Sequence, residues 1–480
     1  MNQNLKSQTV NGLKWQLINS VGTTGVQFIV SIVLARLVMP SQFGMIAMLS
    51  VFISIAQTVI NGGLSDALIR HKERDRVDCS TVFYYNAVVA AIMYIGIYLC
   101  APLISDFYAV AELTTIVRVL AVSLIFGAIT NVHCALMSSE LNFKTISIVS
   151  ITSTAIAGAI GIIMAVNGLQ VWALVANTLT AIILNSALIC IVYPWKPSPV
   201  FSIKRLKKSF AFGSKLMASS LLNNIFSQIY SVVIGKIWHS QQLGLYSKAD
   251  NIATLPVLKP TEIISTVTYS ALCKLENDED KLCKSYRTML KLSAFTLFPL
   301  CLGLGAIAYP LINVLLTNAW VESATILQIL VFSLMWYPIH ALNLNILKVK
   351  GRSDVFFRLE VIKKGVAILM LVVTVPIGIT AICYGRIVLS VISFFLHAKY
   401  VGKELKIGIV SQLKDILPSF LLASFMFIGG GLMARQTGND FPGLLIGITT
   451  CVAIYSIGTL LFKFSEWQEL KHIVQTALRK

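Results

Sequence analysis

Ser20-Val-Gly-Thr-Thr-Gly-Val-Gln-Phe-Ile-Val-Ser-Ile-Val-Leu-Ala-Arg36 and Ser220-Leu-Leu-Asn-Asn-Ile-Phe-Ser-Gln-Ile-Tyr-Ser-Val-Val-Ile-Gly-Lys236 lie 200 residues apart and share one pattern. Each sits in an apolar run long enough to cross a hydrocarbon layer of about 30 Å, which takes roughly 20 helical residues. Each carries polar side chains at helical spacing and closes on a cation. At the same offset Ser20 meets Ser220, Ser31 meets Ser231, Gln42 meets Gln242 and Gly44 meets Gly244; further on, Asn61 meets Thr261 and Ser65 meets Ser265. At a shift of 210, Leu120-Ala-Val-Ser-Leu124 overlays Leu330-Val-Phe-Ser-Leu334. Apolar matches are cheap; polar and glycine matches at one offset indicate an internal repeat.

The rest of the chain has the same character. Of 480 residues 56% are hydrophobic and only 12% charged, against about 25% charged in soluble domains, and the mean hydropathy is +0.78. Apolar runs fall near 14–36, 43–66, 80–104, 113–137, 145–166, 169–193, 210–235, 245–271, 288–313, 322–347, 355–376, 379–400, 412–434 and 442–463. The expected fold is therefore all-α: a polytopic membrane protein of about 14 transmembrane helices. The repeat divides it into an N-lobe over 1–193, a basic linker over 194–209 and a C-lobe over 210–411, with helices 13 and 14 over 412–463 and a tail over 464–480. Two six-helix units enter the membrane in the same direction, so they form parallel repeats about an axis along the membrane normal, with a cavity between them.

Several classes are excluded by what is missing. The connectors leave no room for a catalytic or nucleotide-binding domain. The nearest phosphate-loop string, Gly235-Lys236-Ile237, lacks the hydroxyl residue that a magnesium-phosphate site needs. The nine cysteines show no C-x-x-C pairing and read as small core residues. No metal site and no nucleic-acid partner are expected. The N-terminus lacks a cleavage signal after a short apolar region, so the first run is expected to stay as a helix. Instead of nucleic acid, the net charge of +18 indicates orientation. With the N-terminus inside, 29 of the 39 Lys and Arg residues fall in cytoplasmic segments, and the opposite face receives only Arg36, Lys236, Lys248 and Arg435. That asymmetry predicts both termini in the cytoplasm.

Four repeat-related helices carry polar stripes, among them Gln27 on helix one, Gln57 and Asn61 on helix two, Asn223 and Asn224 on helix seven, and Asn251 and Thr254 on helix eight. Lipid cannot solvate such a stripe, so it faces protein or a water-filled cavity. A single Ser or Thr is more often interhelical glue; four matched stripes point to a shared aqueous cavity. Lys259 lies about mid-membrane with Glu262 three positions later, either a mutually neutralising pair or a cation for an anionic headgroup beside a releasing acid. Lys215, Arg36 and Lys236 stand nearer helix ends, where snorkelling is the alternative. Arg118, Lys363, Lys364 and Arg386 are further candidate cavity cations. Asp66 and Asp250 are candidate proton or cation carriers, with helix capping as the plainer role. His133, His340 and His397 show no metal-ligand spacing.

Asn11-Gly-Leu-Lys-Trp15, Ala35-Arg-Leu-Val-Met-Pro-Ser-Gln-Phe-Gly44, Gly63-Leu-Ser-Asp-Ala-Leu-Ile69, Ala135-Leu-Met-Ser-Ser-Glu-Leu-Asn-Phe143, Leu243-Gly-Leu-Tyr-Ser-Lys-Ala-Asp250 and Lys350-Gly-Arg352 resemble bacterial polysaccharide transporters. The resemblance is to the colanic-acid exporter and O-antigen flippase branch of the multidrug/oligosaccharidyl-lipid/polysaccharide superfamily, and it covers nearly the whole chain. It implies alternating access in the bacterial inner membrane. The implied cargo is an undecaprenyl-diphosphate-linked oligosaccharide, turned to the periplasmic leaflet for surface polysaccharide synthesis. Membrane lipids, a polysaccharide polymerase and a chain-length regulator are the implied partners. No catalytic residue and no cofactor are implied, because no bond is broken.

A charge crossing 100 mV exchanges about 2.3 kcal/mol. An outward-moving diphosphate therefore runs downhill in a negative-inside cell, and the membrane potential alone can drive it. A proton or sodium gradient acting through Glu262, Asp66 or Asp250 is the other source. The rival within the superfamily is a multidrug or cation antiporter, which would favour an acidic cavity. A sugar polymerase or glycosyltransferase would want larger outer loops than those around Asp106–Glu112 and Thr317–Glu322.

Overall fold

A computed structural model of the chain describes residues 3–70, 74–438 and 440–478; these are helical almost throughout, with no strand among them. Two compact units emerge, residues 1–244 and 245–480. The first holds α1 (Gln3–Leu37), α2 (Pro40–Asn61), α3 (Leu64–Arg70), α4 (Arg76–Tyr108), α5 (Leu113–Leu120), α6 (Ser123–Ser139), α7 (Phe143–Val166) and α8 (Gln170–Val192). A long helix, α9 (Ile203–Cys273), follows, broken at Trp238 and His239, the latter at φ 62°. Its first arm, the seventh expected span, belongs to the first unit, and its second arm enters the second.

The second unit continues with α10 (Glu279–Ala306), α11 (Ala308–Leu315), α12 (Val321–Leu334), α13 (Tyr337–Val349), α14 (Ser353–Thr374) and α15 (Ile379–Leu405). It ends with α16 (Ile409–Gln436), α17 (Phe441–Leu461) and α18 (Ser465–Leu478).

Among the described residues, eleven helical segments are long and apolar enough to cross a membrane. The three expected spans outside that set are helices too: the two arms of α9, and α14. They are the ones loaded with charge, through Lys215 and Lys236, through Asp250, Lys259 and Glu262, and through Arg358, Glu360, Lys363 and Lys364. This is a multi-pass membrane protein. Its outer surface says the same: Val21, Leu99, Leu103, Val372, Phe425 and Leu461 are all exposed, an apolar area a water-soluble monomer does not present.

Local chemistry sets the helix ends. Pro40 starts α2, where its missing N–H costs nothing. The α2 helix stops at Gly62, which with Gly63 adopts left-handed φ of 56° and 68°; this conformation suits residues without a Cβ. The α4 helix opens on a capping box in which Asp75 and Asp78 accept from each other's backbone N–H groups. Three spans are divided in mid-course: the second at Gly62–Gly63, the fourth between α5 and α6, and the tenth between α12 and α13.

The internal repeat is visible in the packing. In the first unit α4 lies on α6, α6 on α8 and α7 on α8; in the second, α10 lies on α12 and α13, both of those on α15, and α14 on α15. These are the same pairs of spans, counted six helices later. The helices beyond the repeat extend this unit, α16 against α10 and α17 against α16.

The start of α2 and the break in α9 meet reciprocally. A Cβ on Gly44 would overlap the Ser240 carbonyl, and one on Gly244 would overlap the Pro40 carbonyl. Positions 40 and 240, and 44 and 244, are mates at the 200-residue offset, so the two close approaches are reciprocal. A second close backbone approach joins Gly63 to Gly213.

Candidate binding cavity

Within the first unit a cavity of about 840 Å³ opens among α1, α2, α3, α6, α7, α8 and the first arm of α9. The α1 helix contributes Asn19, Thr23 and Gln27, one turn apart, and α2 contributes Ser54, Gln57, Thr58 and Asn61. These faces follow from the three-to-four-residue spacing that brings side chains onto one side of a helix. From α6 come Thr130 and Asn131, from α7 Ser150, Ser153 and Thr154, from α8 Asn185, and from α9 Ser220 and Asn224.

Hydroxyls here mostly donate back along their own helices. Thr23 donates to the Asn19 carbonyl at 2.6 Å, Ser54 to Val51 at 2.9 Å, Thr58 to Ser54 at 2.9 Å and Thr154 to Ser150 at 2.8 Å. Two contacts tie the walls together: Asn224 Nδ2 donates to Thr58 Oγ1 at 2.5 Å, and Asn185 Nδ2 to Ser150 Oγ at 3.4 Å. Asn61 Oδ1 accepts from Ser65 at 2.6 Å. The lining is thus rich in neutral donors and acceptors, suited to a hydroxylated ligand whose groups each need a partner when desolvated. Among the described residues its single charged member is Asp66, in the first turn of α3.

Of the residues singled out by sequence, Gln27, Gln57, Asn61, Asn224 and Asp66 line this cavity. Asn223, Lys215, Arg36, Lys236 and Arg118 do not. Lys236 donates to the Phe107 carbonyl and sits 4.8 Å from that ring's centre, while Arg118 stacks on Tyr98 at 4.4 Å and donates to its carbonyl. In the second unit Arg386 is committed to Asp250 at 2.7 Å and to the Tyr246 hydroxyl at 2.6 Å. Lys259 pairs with Glu262 at 3.1 Å on an exposed helix face, and Lys363 faces Glu360 at 3.9 Å; Lys364 neighbours it on α14.

The polar residues of α6, α7 and α8 are absent from the sequence-level site. Asn131 beside Thr130 and Asn185 beside Ser186 interrupt otherwise apolar runs; Ser147, Ser150, Ser153 and Thr154 recur at helical spacing, and that was the available signal.

Residues 33–325 match the family described as Polysaccharide biosynthesis protein. The chain is 25% identical over 432 residues to the teichuronic acid biosynthesis protein TuaB of Bacillus subtilis, covering 88% of each chain. It is 24% identical over 406 residues to the lipopolysaccharide biosynthesis protein WzxC of Escherichia coli, covering 82% of each. Among solved structures, the lipid II flippase MurJ in an inward closed conformation aligns with a TM-score of 0.72 at 17% identity, over 93% of this chain and 98% of that one. An inward-facing multidrug resistance MATE transporter aligns at 0.63 and 15% identity, over 82% and 99%. These two likenesses concern the fold.

Proposed function

The chain belongs to the polysaccharide biosynthesis protein family, and from that membership we propose that it is a flippase. Its cargo is a lipid-linked oligosaccharide repeat unit, carried on undecaprenyl diphosphate from the cytoplasmic to the periplasmic leaflet. It works by alternating access in the inner membrane, with fourteen crossings and both termini in the cytoplasm. It performs no covalent chemistry. A polysaccharide polymerase and a chain-length regulator are its partners downstream.

The observation that carries this reading is the cavity lining. Seven amide side chains, from Asn19, Gln27, Gln57, Asn61, Asn131, Asn185 and Asn224, converge with at least as many hydroxyls on one space. Each amide offers both donor and acceptor, the pattern a sugar hydroxyl requires. Lys215, Lys259, Lys363 and Lys364 are the candidate contacts for the diphosphate. Membrane potential drives the charged headgroup outward.

In a strain lacking this protein, lipid-linked repeat units should accumulate and surface polysaccharide should fall; the wild-type chain should restore both. Gln57→Leu combined with Asn224→Leu should slow clearance at least roughly tenfold at equal membrane abundance, since each lost hydrogen bond costs about 1–3 kcal/mol. Undiminished clearance by that variant would remove the cavity from the transport path. The superfamily's second activity, cation or drug antiport, has one observation in its favour, the Asp66 carboxylate in the lining. If loss of the protein leaves lipid-linked sugars unchanged and sensitises cells to cationic drugs, that activity replaces the flippase.

A further inference from the structure

Among the described residues the cavity lining of the first unit holds seven amides and eight hydroxyls, no Lys, Arg or His, and one carboxylate, Asp66. The unit does not lack cations; it turns them elsewhere. Arg118 and Lys236 are committed to Tyr98 and to the Phe107 carbonyl, Arg70 stacks on Phe212 at 4.6 Å, and Lys144 lies 5.7 Å from the centre of the Trp15 ring. Lys215 directly precedes Leu216 of the lining yet is not part of it. We propose that this cavity is a subsite for uncharged sugar rings, and that Asp66 is the residue that keeps anionic sugars out of it. The inference rests on the flippase reading and names the part of the cargo that the first unit holds.

The selection follows from which groups can donate. A sugar hydroxyl is both donor and acceptor, so it can meet either half of an amide. A uronate carboxylate only accepts. It can take N–H groups from the amides, but it has nothing to offer the Asp66 carboxylate, or Asn19 Oδ1, which has no hydrogen-bond partner. An anion that leaves water also needs a counter-charge, because an unpaired charge is disfavoured far more than an unpaired hydroxyl. Here the one charge in the lining has the wrong sign. Asp66 is exposed, on the first turn of α3, so it acts through space and salt weakens it.

Size and charge together divide the cargo. A volume of about 840 Å³ falls among pockets that enclose a drug-sized ligand, and a disaccharide is of that size. The diphosphate finds no cation in the lining and stays outside, with Lys215 beside the lining as its candidate contact. An acidic sugar, where a repeat unit carries one, has to lie outside the cavity too.

The test is binding to the purified full chain of three undecaprenyl-diphosphate disaccharides. One carries two glucose rings; in the others glucuronate replaces either the first ring or the second. At low ionic strength the glucose form should bind tightest, and at least one glucuronate form should bind roughly tenfold or more weakly, a loss that shrinks as salt rises. Asp66→Asn should recover most of that loss, and Gln57→Lys, which sets a cation in the lining, should turn it into a preference. Equal binding of all three probes overturns the proposal, as does a loss that Asp66→Asn leaves unchanged. If Gln57→Lys does not fold, wild type and Asp66→Asn decide. The flippase reading fails on a different result, unchanged lipid-linked sugars in the strain lacking the protein. If those sugars accumulate while the three probes bind alike, only the selection by charge falls.

Discussion

Tyr286 shows how much one hydroxyl can organise. Buried at the junction of α10, α13 and α16, it faces Asn343 Oδ1 and, at 3.0 Å, Gln412 Oε1. A phenol has one proton and cannot donate to both. Gln412 is already oriented by its bond to the Ala398 carbonyl, whereas Asn343 Nδ2 has no partner. Turning the Asn343 amide makes Nδ2 the donor to the Tyr286 oxygen and frees the phenol proton for Gln412 Oε1, leaving Asn343 Oδ1 in the unpartnered position. Tyr286→Phe should cost about 1–3 kcal/mol, since it strands buried amide groups; thermal unfolding in detergent measures it, and an unchanged midpoint would mean water fills the gap. This cluster was invisible in the sequence. Its members are 57 and 69 residues apart, with no pattern to join them. The stripes on α1 and α2 were legible because helical spacing alone fixes a shared face, so Gln27, Gln57 and Asn61 could be named in advance. Charge was a poorer guide to this cavity, because a cation in an apolar helix can equally turn to a carboxylate, a carbonyl or a ring, as Arg386, Lys236 and Arg118 do.

Among the elements, two junctions hold their helices by ion pairs of different worth. Arg287 on α10 grips Asp415 on α16 through two bonds, Nε–Oδ2 at 2.7 Å and Nη2–Oδ1 at 2.8 Å, with Lys291 at 3.5 Å. The Asp415 side chain is only 4% exposed. Arg287→Met should therefore be strongly destabilising, of the order of 3 kcal/mol, whereas adding Asp415→Leu should recover much of the loss. A double-mutant cycle on unfolding checks this; additivity would deny the coupling. The capping box of α4 is the exposed counterpart. Asp75 accepts from the Asp78 backbone N–H and pairs with Arg205 of α9, and these contacts hold its carboxyl below the ordinary aspartate range. A lowered folded value means the contribution is complete above the ordinary range and disappears as pH falls through the folded one. Asp75→Asn should therefore lower stability at neutral pH and cease to matter once the pH is below the folded value. A loss that persists undiminished at acid pH would contradict that sign. The capping box rests on a local three-residue spacing that the sequence reading did not single out; the Arg205 partner, 130 positions away, has no such pattern.

For the molecule as a whole, crossing number is a parity question. Fourteen spans leave both termini on one side of the membrane, whereas the eleven strongly apolar helices alone would leave them opposite. Reporter fusions at the two ends should report the same, cytoplasmic side, and opposite sides would eliminate at least one of the charged helices as a crossing. Run length, and the gathering of Lys and Arg in alternate loops, made the membrane fold legible from the outset. The break inside the fourth span was not, because no proline or glycine marks Ala121–Val122; the tenth carried a signal in Pro338, which stands in the first turn of α13 just after Met335–Trp336.

The crossing of α2 and α9 has one further consequence. Gly44 rests on position 240 and Gly244 on position 40, the arrangement of an isologous dimer seam in which one patch meets its own copy. In a true dimer, one mutation alters both halves at once and the seam stays symmetric. Here the two patches are encoded separately, so each can drift while the other holds the contact: a single polypeptide can keep a symmetric crossing and still vary its two sides independently.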